Sequence, residues 1–594
     1  MCGIIAAISD EEGVASILLD GLKREEYRGY DSAGVAMLNG KGTITVKKDI
    51  GRVGHLEERY DLRRMHGKVG IAHTRWATHG GVTQRNAHPH LSCHGTVAIV
   101  HNGIIDNYLE LKKQLRSRGH AFASETDSEV IAHLVEEIYE KENDPVKATI
   151  RAANLMKGQY AFVALFRDRR DVLIGARNDA PLVVGIAERT KFLSSDVLGF
   201  LAHTDRAIFL DNKEVVELTP RGVRVFSLRG KEEMPEDRNE THLAWELGSL
   251  SKQNYAHYTL KEIHEQPTTV QSAAFQDPAK VAAFADRLRD AKSIIFTGSG
   301  SSFHAALLLR SRLALETRTR TETIISGEFE RELPFLDEET VVVAVSQSGE
   351  TADVLSAIKL ARRKRVGAVL SLVNAAGSSL SRQSDQTLLL NCGPEVGVAA
   401  TKSFTAQVML GNVVIDALTG KNTVGEPEKV GALVAKILET EPMMKKLARA
   451  YRNRPDFYFI ARGNNYPIAL EGALKLKELS YIHAEGMPAS ELKHGTLALI
   501  EKGTPVVVIA PSGPGYNEIV SNAQELTARG AEIIGVAQKP HPTFKHVIKV
   551  PPANQSVAPL LEVVPLQLLA YFMATERKND PDYPRNLAKS VTVK

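Results

Sequence analysis

Met1-Cys2-Gly3-Ile4-Ile5-Ala6-Ala7-Ile8 opens the chain with a thiol directly behind the initiator methionine, followed by an apolar, β-prone run. Cysteine is small, so removal of Met1 is expected, leaving a thiol and a free α-amino group on one residue. The amine titrates near ~7.7–8.0 and an unperturbed thiol near ~8.5, so at neutral pH the amine can take the thiol proton, directly or through a water. The run behind it is expected to hold this nucleophile and its base on a strand edge. The plain alternative is a cysteine that merely starts a buried strand, and the residues further along decide between the two.

Outward from that strand, Val14, Ile17, Leu18 and Leu22 fall at helical spacing, and short β-like runs follow at 35–38, 43–46, 69–72 and 97–100. Two of these runs end in expected loops dense in polar groups: His73-Thr74-Arg75-Trp76-Ala77-Thr78-His79-Gly80-Gly81 and His101-Asn102-Gly103-Ile104. A thiolate attacking an amide needs donors aimed at the oxyanion, and the Asn102 side chain with the Gly103 backbone N–H can supply them. A free amino acid as substrate also needs a guanidinium for its carboxylate and a carboxylate for its ammonium. Arg75 and Asp127 are candidates. Asn-Gly alone is a common turn and an Asp before a helix a common cap, so the signal lies in their combination behind Cys2. The run His88-Pro89-His90-Leu91-Ser92-Cys93-His94 has no second Cys or His pair at finger spacing, so it is read as a polar wall, with no metal assigned.

At 594 residues the chain is too long for one core and predicts three or four domains. Lys+Arg 74 against Asp+Glu 71 gives no field that argues for nucleic acid or membrane, and the run Arg362-Arg363-Lys364-Arg365 reads as a solvated helix face. Three cysteines are too few for a disulfide framework, no signal core is present, and no apolar run reaches the ~18–20 residues of a membrane span. The expectation is a cytoplasmic, reduced protein.

A polar stretch around 228–242 reads as a linker, and beyond it a pattern occurs twice. Ser293-Ile294-Ile295-Phe296 leads into Thr297-Gly298-Ser299-Gly300-Ser301-Ser302 and a helix; Phe457-Tyr458-Phe459-Ile460 leads into Ala461-Arg462-Gly463-Asn464-Asn465 and a helix. Further strands are expected at 341–345 and 366–372 in one half, and at 505–509 and 533–536 in the other. Alternating strands and helices predict two doubly wound parallel α/β domains that bind ligands beyond the carboxyl ends of their strands. At those ends Ser301, Ser302, Ser346, Gln347, Ser348 and Thr351 form a hydroxyl and N–H cradle suited to phosphate, without a P-loop lysine or a dinucleotide fingerprint. No cofactor is implied.

The N-terminal motifs, with Glu125-Thr126-Asp127, resemble the class II glutamine amidotransferases. The resemblance implies a four-layer αββα N-terminal-nucleophile (Ntn) hydrolase sandwich in which Cys2 attacks the glutamine side chain, Asn102 and Gly103 form the oxyanion hole, and Arg75 and Asp127 hold the substrate's ends, with Trp76, Thr78 and His79 beside it. The second half resembles sugar isomerase (SIS) domains. Gly397-Val398-Ala399-Ala400-Thr401-Lys402, Glu471-Gly472-Ala473-Leu474-Lys475-Leu476-Lys477-Glu478, Glu491-Leu492-Lys493-His494-Gly495 and the tail from Tyr583 to Val593 extend the resemblance end to end, to one family of isomerising glutamine-dependent aminotransferases. That family implies L-glutamine and fructose 6-phosphate as substrates and a homodimer. It implies Lys589 as a Schiff-base lysine, Glu478 as a proton-transfer carboxylate and His494 as a ring-opening group from a neighbouring subunit. It also implies Val398, Lys475 and Ala588 in the sugar site, Trp76 as gate and Ala588 at the far mouth of an ammonia passage. Burial is expected to lower the pKa of Lys589. Lys475 and Glu478, three apart on a helix, are expected to pair. The expected boundaries are 2–228 for the amidotransferase domain, 229–283 for linker and start of the synthase part, 284–423 and 447–582 for the SIS domains, and 583–594 for a catalytic tail. A phosphoribosyl amidotransferase and a sugar-phosphate-sensing regulator are the competing readings. The first lacks its pyrophosphate-binding acidic pair here, and the second leaves Cys2, His494 and Lys589 idle.

Overall fold

The computed structural model describes residues 2–230, 232–233, 240–243 and 251–592; of the expected linker at 228–242, residues 231 and 234–239 lie outside them. The chain divides into two compact units at residues 247 and 248, the final residues from Ser590 being counted with the first.

Among the described residues the first unit has two antiparallel sheets. One runs in the order Thr241–His242, Arg206–Phe209, Val183–Ile186, Thr190–Ser194, Gly3–Ser9, Val69–Arg75, Ser32–Leu38, Ile44–Ile50. The other runs Glu232–Glu233, Gly222–Ser227, Glu214–Thr219, Leu173–Asn178, Gly158–Phe166, Val97–Ile105, His90–Leu91. The strand Gly3–Ser9 shows why they stack, because successive side chains point to opposite faces. Ile4, Ala6 and Ile8 pack between the sheets against Val100 and Val163, while Ile5 and Ala7 pack outward against Val14, Leu18 and Leu22 of the helix Val14–Arg24. On the far side Val97 and Ile99 meet the helices Glu129–Glu142 and Pro145–Leu155. The second of these helices starts at Asp144, whose carboxylate accepts from Val146 N and Lys147 N, with Pro145 behind it. The result is the expected αββα sandwich.

Two local expectations are corrected. The strand Gly3–Ser9 is paired on both sides, so Cys2 sits at the end of an interior strand and not on a sheet edge. The segment expected as a loop after residue 100 continues the strand to Ile105, with Asn102 opposite Ala161 and Gly103 opposite Tyr160. Gly103 carries φ +121°, and a Cβ there would lie 2.0 Å from the Gln159 carbonyl, so glycine lets the strand run on through the site.

The second unit holds two five-stranded parallel sheets. Their orders are Arg320–Ile325, Ser293–Gly298, Thr340–Ser346, Ala368–Val373, Gln386–Leu389, and His483–Pro488, Asp456–Ala461, Pro505–Ile509, Glu532–Ala537, His546–Lys549. Numbered within each half, both read 2-1-3-4-5, a doubly wound order whose ligand crevice opens between strands one and three. One apolar cluster runs through both halves, joining Phe296 and Val343 to Phe457, Phe459 and the helix Ala558–Glu576. Each buried Phe or Leu contributes roughly 1.5–3 kcal/mol against leaving it in water. This helix corrects the reading that no apolar run reaches spanning length: it is 19 residues long, an 18-residue window of it has mean hydropathy 1.4, and 89% of that window is buried inside the unit. It is the core helix against which Tyr466–Ser480, Pro427–Leu438 and Glu441–Tyr451 pack.

Candidate active site

In the first unit the end of the strand Gly3–Ser9 meets the end of Val69–Arg75. The Cys2 thiol accepts a hydrogen bond from Trp76 N at 3.2 Å and lies 3.5 Å from the Trp76 carbonyl. Burial pushes this thiol up from its ordinary value; the Trp76 N–H and the guanidinium groups of Arg75 and Arg28 pull the other way. Asn102 donates from Nδ2 to the Cys2 carbonyl at 2.9 Å and to Ser195 Oγ at 2.8 Å, while its Oδ1 stands 3.0 Å from His73 Nε2. That nitrogen is also 2.9 Å from the His101 carbonyl, so the ring proton sits on Nε2 between two acceptors and fixes the amide. Burial keeps both imidazoles neutral, His73 pushed down to about 3 and His101 to about 4.

Arg75 is buried, and its guanidinium is held open by the carbonyls of His79, Gly80 and Gly81 at 2.5, 3.1 and 3.1 Å. It lies in the electrostatic reach of Cys2, Asp31 and Asp127. Asp127 receives Ile105 N at 2.9 Å, two residues beyond Gly103. Trp76 is half-buried, edge-on to Tyr30; His79 packs against Tyr108; Thr78 is exposed on the same loop. His79 Nδ1, His101 Nε2 and Thr74 Oγ1 are buried without partners, leaving polar capacity around the cysteine for an incoming molecule. Half of the expected histidine wall belongs here, with His88 stacked on His73 at 4.1 Å and His90 bonded to Thr126 Oγ1 at 3.1 Å.

In the second unit the loops after Ser293–Gly298 and Thr340–Ser346 leave neighbouring strands at the crevice. Gly300, at φ +56°, turns the first into the helix Ser301–Thr317, and Ser302 Oγ accepts from Gln407 Nε2 at 2.9 Å. Ser346 Oγ accepts from Gly349 N at 3.0 Å and lies 3.5 Å from Thr351 Oγ1; Gly349 has φ +65°, and a Cβ there would meet Ser378 Oγ at 2.2 Å. Gln347 and Ser348 complete the turn, whose backbone N–H groups open the helix Ala352–Arg363 toward an anion.

Beside this cradle lies a buried charge cluster. Lys589 Nζ is 2.5 Å from Glu395 Oε2, and Glu395 also receives Ser403 Oγ at 2.7 Å, Thr401 N at 2.9 Å and Ser403 N at 3.1 Å. Burial alone would push the Glu395 carboxyl up, but Lys589 and these donors hold it well below the usual carboxylate range. Lys475 Nζ is 2.7 Å from Glu478 Oε2 and 3.5 Å from Glu471 Oε1; both carboxylates, with a further pull from Glu395, outweigh burial and raise its pKa. Glu471 reaches across to Ser301 Oγ at 2.9 Å and His304 Nδ1 at 2.7 Å, tying the second half to the cradle helix. The side chain of Lys589, expected to be desolvated, is buried and paired with Glu395.

The tail that carries Lys589 is anchored by Asp582, which accepts Tyr258 N at 3.0 Å and Thr259 N at 2.8 Å, and whose carbonyl takes Val398 N at 3.1 Å. Ala588 is half-buried beside Lys589. His494 is exposed at the end of the short helix Ala489–His494. Glu395, Glu262 and Asp582 belong to the site without standing in any motif that marks them in the sequence. Glu262, pushed up to about 7 first by burial and then by the Glu395 charge, accepts Val396 N and Gly397 N, and a Cβ at Gly397 would meet it at 2.8 Å. The one signal for Glu395 is its place just ahead of the Gly397 motif.

The SIS domain family matches residues 287–417 and 451–577, and the glutamine amidotransferase domain family matches 73–202. The chain is 44% identical to the isomerising glutamine–fructose-6-phosphate aminotransferase of Thermococcus kodakarensis, and 41% identical to the proteins of that name from Methanothermobacter thermautotrophicus and Aquifex aeolicus, in each case over all of both chains. The solved C-terminal domain of glucosamine-fructose-6-phosphate aminotransferase from Francisella tularensis superposes with a TM-score of 0.51 at 31% identity, covering 56% of this chain and 99% of that one. Fold and motifs thus define a glutamine amidotransferase joined to two sugar isomerase domains. The chain belongs to the isomerising glutamine–fructose-6-phosphate aminotransferase family.

Proposed function

We propose that the chain converts D-fructose 6-phosphate and L-glutamine to D-glucosamine 6-phosphate and L-glutamate, the entry to amino-sugar synthesis. In the first unit the Cys2 thiolate adds to the glutamine amide carbon, ammonia leaves, and water releases glutamate from the thioester. With Met1 removed, the α-amino group takes the thiol proton and returns it to the leaving nitrogen. Arg75 and Asp127 hold the carboxylate and ammonium of glutamine, flanked by Trp76, Thr78 and His79. Asn102 Nδ2 and Gly103 N–H receive the oxyanion. Both Nδ2 protons are engaged as the site stands, so Asn102 exchanges its bond to the Cys2 carbonyl for one to the oxyanion.

In the second unit Ser302, Ser346, Gln347, Ser348 and Thr351 hold the phosphate, with Val398 and Ala588 along the sugar. Lys589 leaves Glu395, gives up a proton and condenses with the C2 ketone, releasing water; ammonia then displaces it. Glu478, steered by Lys475, moves a proton from C1 to C2 and so converts ketose to aldose. His494 opens the ring from a second copy of the chain, a homodimer being the smallest complete unit. Ammonia passes from one site to the other behind Trp76. Transfer without escape keeps the nitrogen unprotonated and nucleophilic.

The observation that carries this reading is the Lys589–Glu395 pair, which brings a C-terminal lysine into one buried cluster with Lys475 and Glu478. Borohydride reduction in the presence of fructose 6-phosphate, followed by peptide mass spectrometry, is expected to fix the hexose phosphate on Lys589. Lys589→Ala should lose that adduct and the amino sugar while still hydrolysing glutamine. An adduct on another lysine, or full synthase activity in Lys589→Ala, would overturn the assignment.

A further inference from the structure

Outside the active site, the turn between the strands His90–Leu91 and Val97–Ile105 places Cys93 against two histidines and a glutamate. Cys93 Sγ lies 3.2 Å from His120 Nδ1 and 3.1 Å from His133 Nδ1, and ligand atoms of Cys93, His120, His133 and Glu136 all fall within 4.8 Å of one another. His133 and Glu136 stand three apart on the helix Glu129–Glu142, so they share a face, and His120 follows the helix Tyr108–Ser117. Spacing along the chain signals no metal because these partners lie 27 and 40 residues from Cys93, far from finger spacing.

We propose that Cys93, His120, His133 and Glu136 bind one Zn2+ ion. A thiol has one proton and cannot bond both imidazole nitrogens as donor, whereas a thiolate and two neutral imidazoles converging on one point are a ligand set. Tetrahedral zinc, with Zn–S near ~2.3 Å and Zn–N near ~2.0–2.1 Å, separates sulfur and nitrogen by about 3.5 Å, a few tenths wider than the present contacts. Glu136 supplies an independent sign. Its side chain is fully buried, Oε1 is held by Thr96 Oγ1 and His94 N, the Ser92 side chain also bonds to the carboxylate, and Oε2 has no partner within hydrogen-bond distance, with His94 Nδ1 at 3.7 Å. The far nitrogens are also backed as in zinc sites: His133 Nε2 stands 3.4 Å from Glu129 Oε1, and His120 Nε2 stands 3.7 Å from Glu137 Oε2. One thiolate and one carboxylate neutralise the dication, and binding releases the Cys93 proton to solvent.

Four protein ligands leave no open position, which makes the site structural. The ion ties the Cys93 turn to the helix that begins two residues beyond Asp127, and Glu129, behind His133, holds Ala123 N, Ser124 N and Ser124 Oγ of the loop leading to Asp127. Cys93 itself is exposed, so an ion can enter from solvent.

Elemental analysis of the full chain, loaded with Zn2+ and then dialysed, is expected to show about one zinc per chain, falling to about a tenth in Cys93→Ser and unchanged in Cys2→Ala. Glutamine hydrolysis by Cys93→Ser reports that the variant is folded. Co2+ in place of Zn2+ should give the thiolate charge-transfer band and the visible bands of a tetrahedral ion in the unmodified chain, which needs no variant. No bound metal and no cobalt bands, or an ion that stays in Cys93→Ser, would overturn the site.

Discussion

Gly103 shows how one residue can carry both fold and chemistry. Its positive φ, and a Gln159 carbonyl that would lie 2.0 Å from a Cβ, leave no room for a methyl group, while its N–H is proposed to face the oxyanion. Gly103→Ala should therefore destabilise the first unit by roughly 1–3 kcal/mol, from strain at a left-handed position. It should also cut glutamine hydrolysis at least ~100-fold through the displaced donor. Thermal denaturation and glutamate release measure the two effects, and synthesis from free ammonium should survive. Equal loss with ammonium would show that the damage is not confined to the glutamine site. Cys2, Asn102, Arg75 and Asp127 could be singled out as candidates because each proposed task calls for a particular residue type in a motif. Glu395 was not, since a buried carboxylate is defined by the lysine it meets, here 194 positions away.

The helix Ala558–Glu576 poses a different question, because Glu562 lies fully buried within it and neither carboxylate oxygen has a hydrogen-bond partner. Burial pushes its pKa from 4.5 up to about 8. The native state therefore keeps a proton that the unfolded chain has lost, so stability contributed by this group is whole below about 4.5 and is lost as pH rises toward about 8. Glu562→Gln should flatten that slope and raise stability at pH 9 by on the order of 2 kcal/mol, the scale of one unpaired buried polar group. Denaturation at pH 5 and pH 9 checks it; parallel slopes in both proteins would contradict it. Strands and helices at this scale were readable from periodicity, and the parallel sheets from their alternation. The strands Arg320–Ile325, His483–Pro488, Gln386–Leu389 and His546–Lys549 escaped because they are short or carry polar residues at sheet edges, where pairing and not side-chain pattern defines them. The continuation through Asn102-Gly103 escaped because that dipeptide ordinarily signals a turn.

In the assembly proposed above, His494, exposed at the end of the helix Ala489–His494, serves the sugar site of a second copy. If a second copy supplies it, mixing Lys589→Ala with His494→Ala chains under exchange conditions creates one intact site per mixed dimer. Amino-sugar formation should reappear at up to about a quarter of the unmodified rate, half the sites in half the dimers. No recovery in demonstrably mixed dimers would place His494 in its own chain's site or outside catalysis. Spacing along the sequence offers no sign for or against such complementation, since residues that meet across copies have no sequence separation to read.

The central claim is that nitrogen freed at Cys2 is the nitrogen placed on the sugar. The direct measurement is synthesis from fructose 6-phosphate and glutamine labelled with heavy nitrogen at its amide, in the presence of excess unlabelled ammonium, with the product read by mass spectrometry. Glucosamine 6-phosphate is expected to carry the amide label, and Cys2→Ala is expected to give only unlabelled product. Labelled product from Cys2→Ala, or glutamate released with no amino sugar formed, would contradict it.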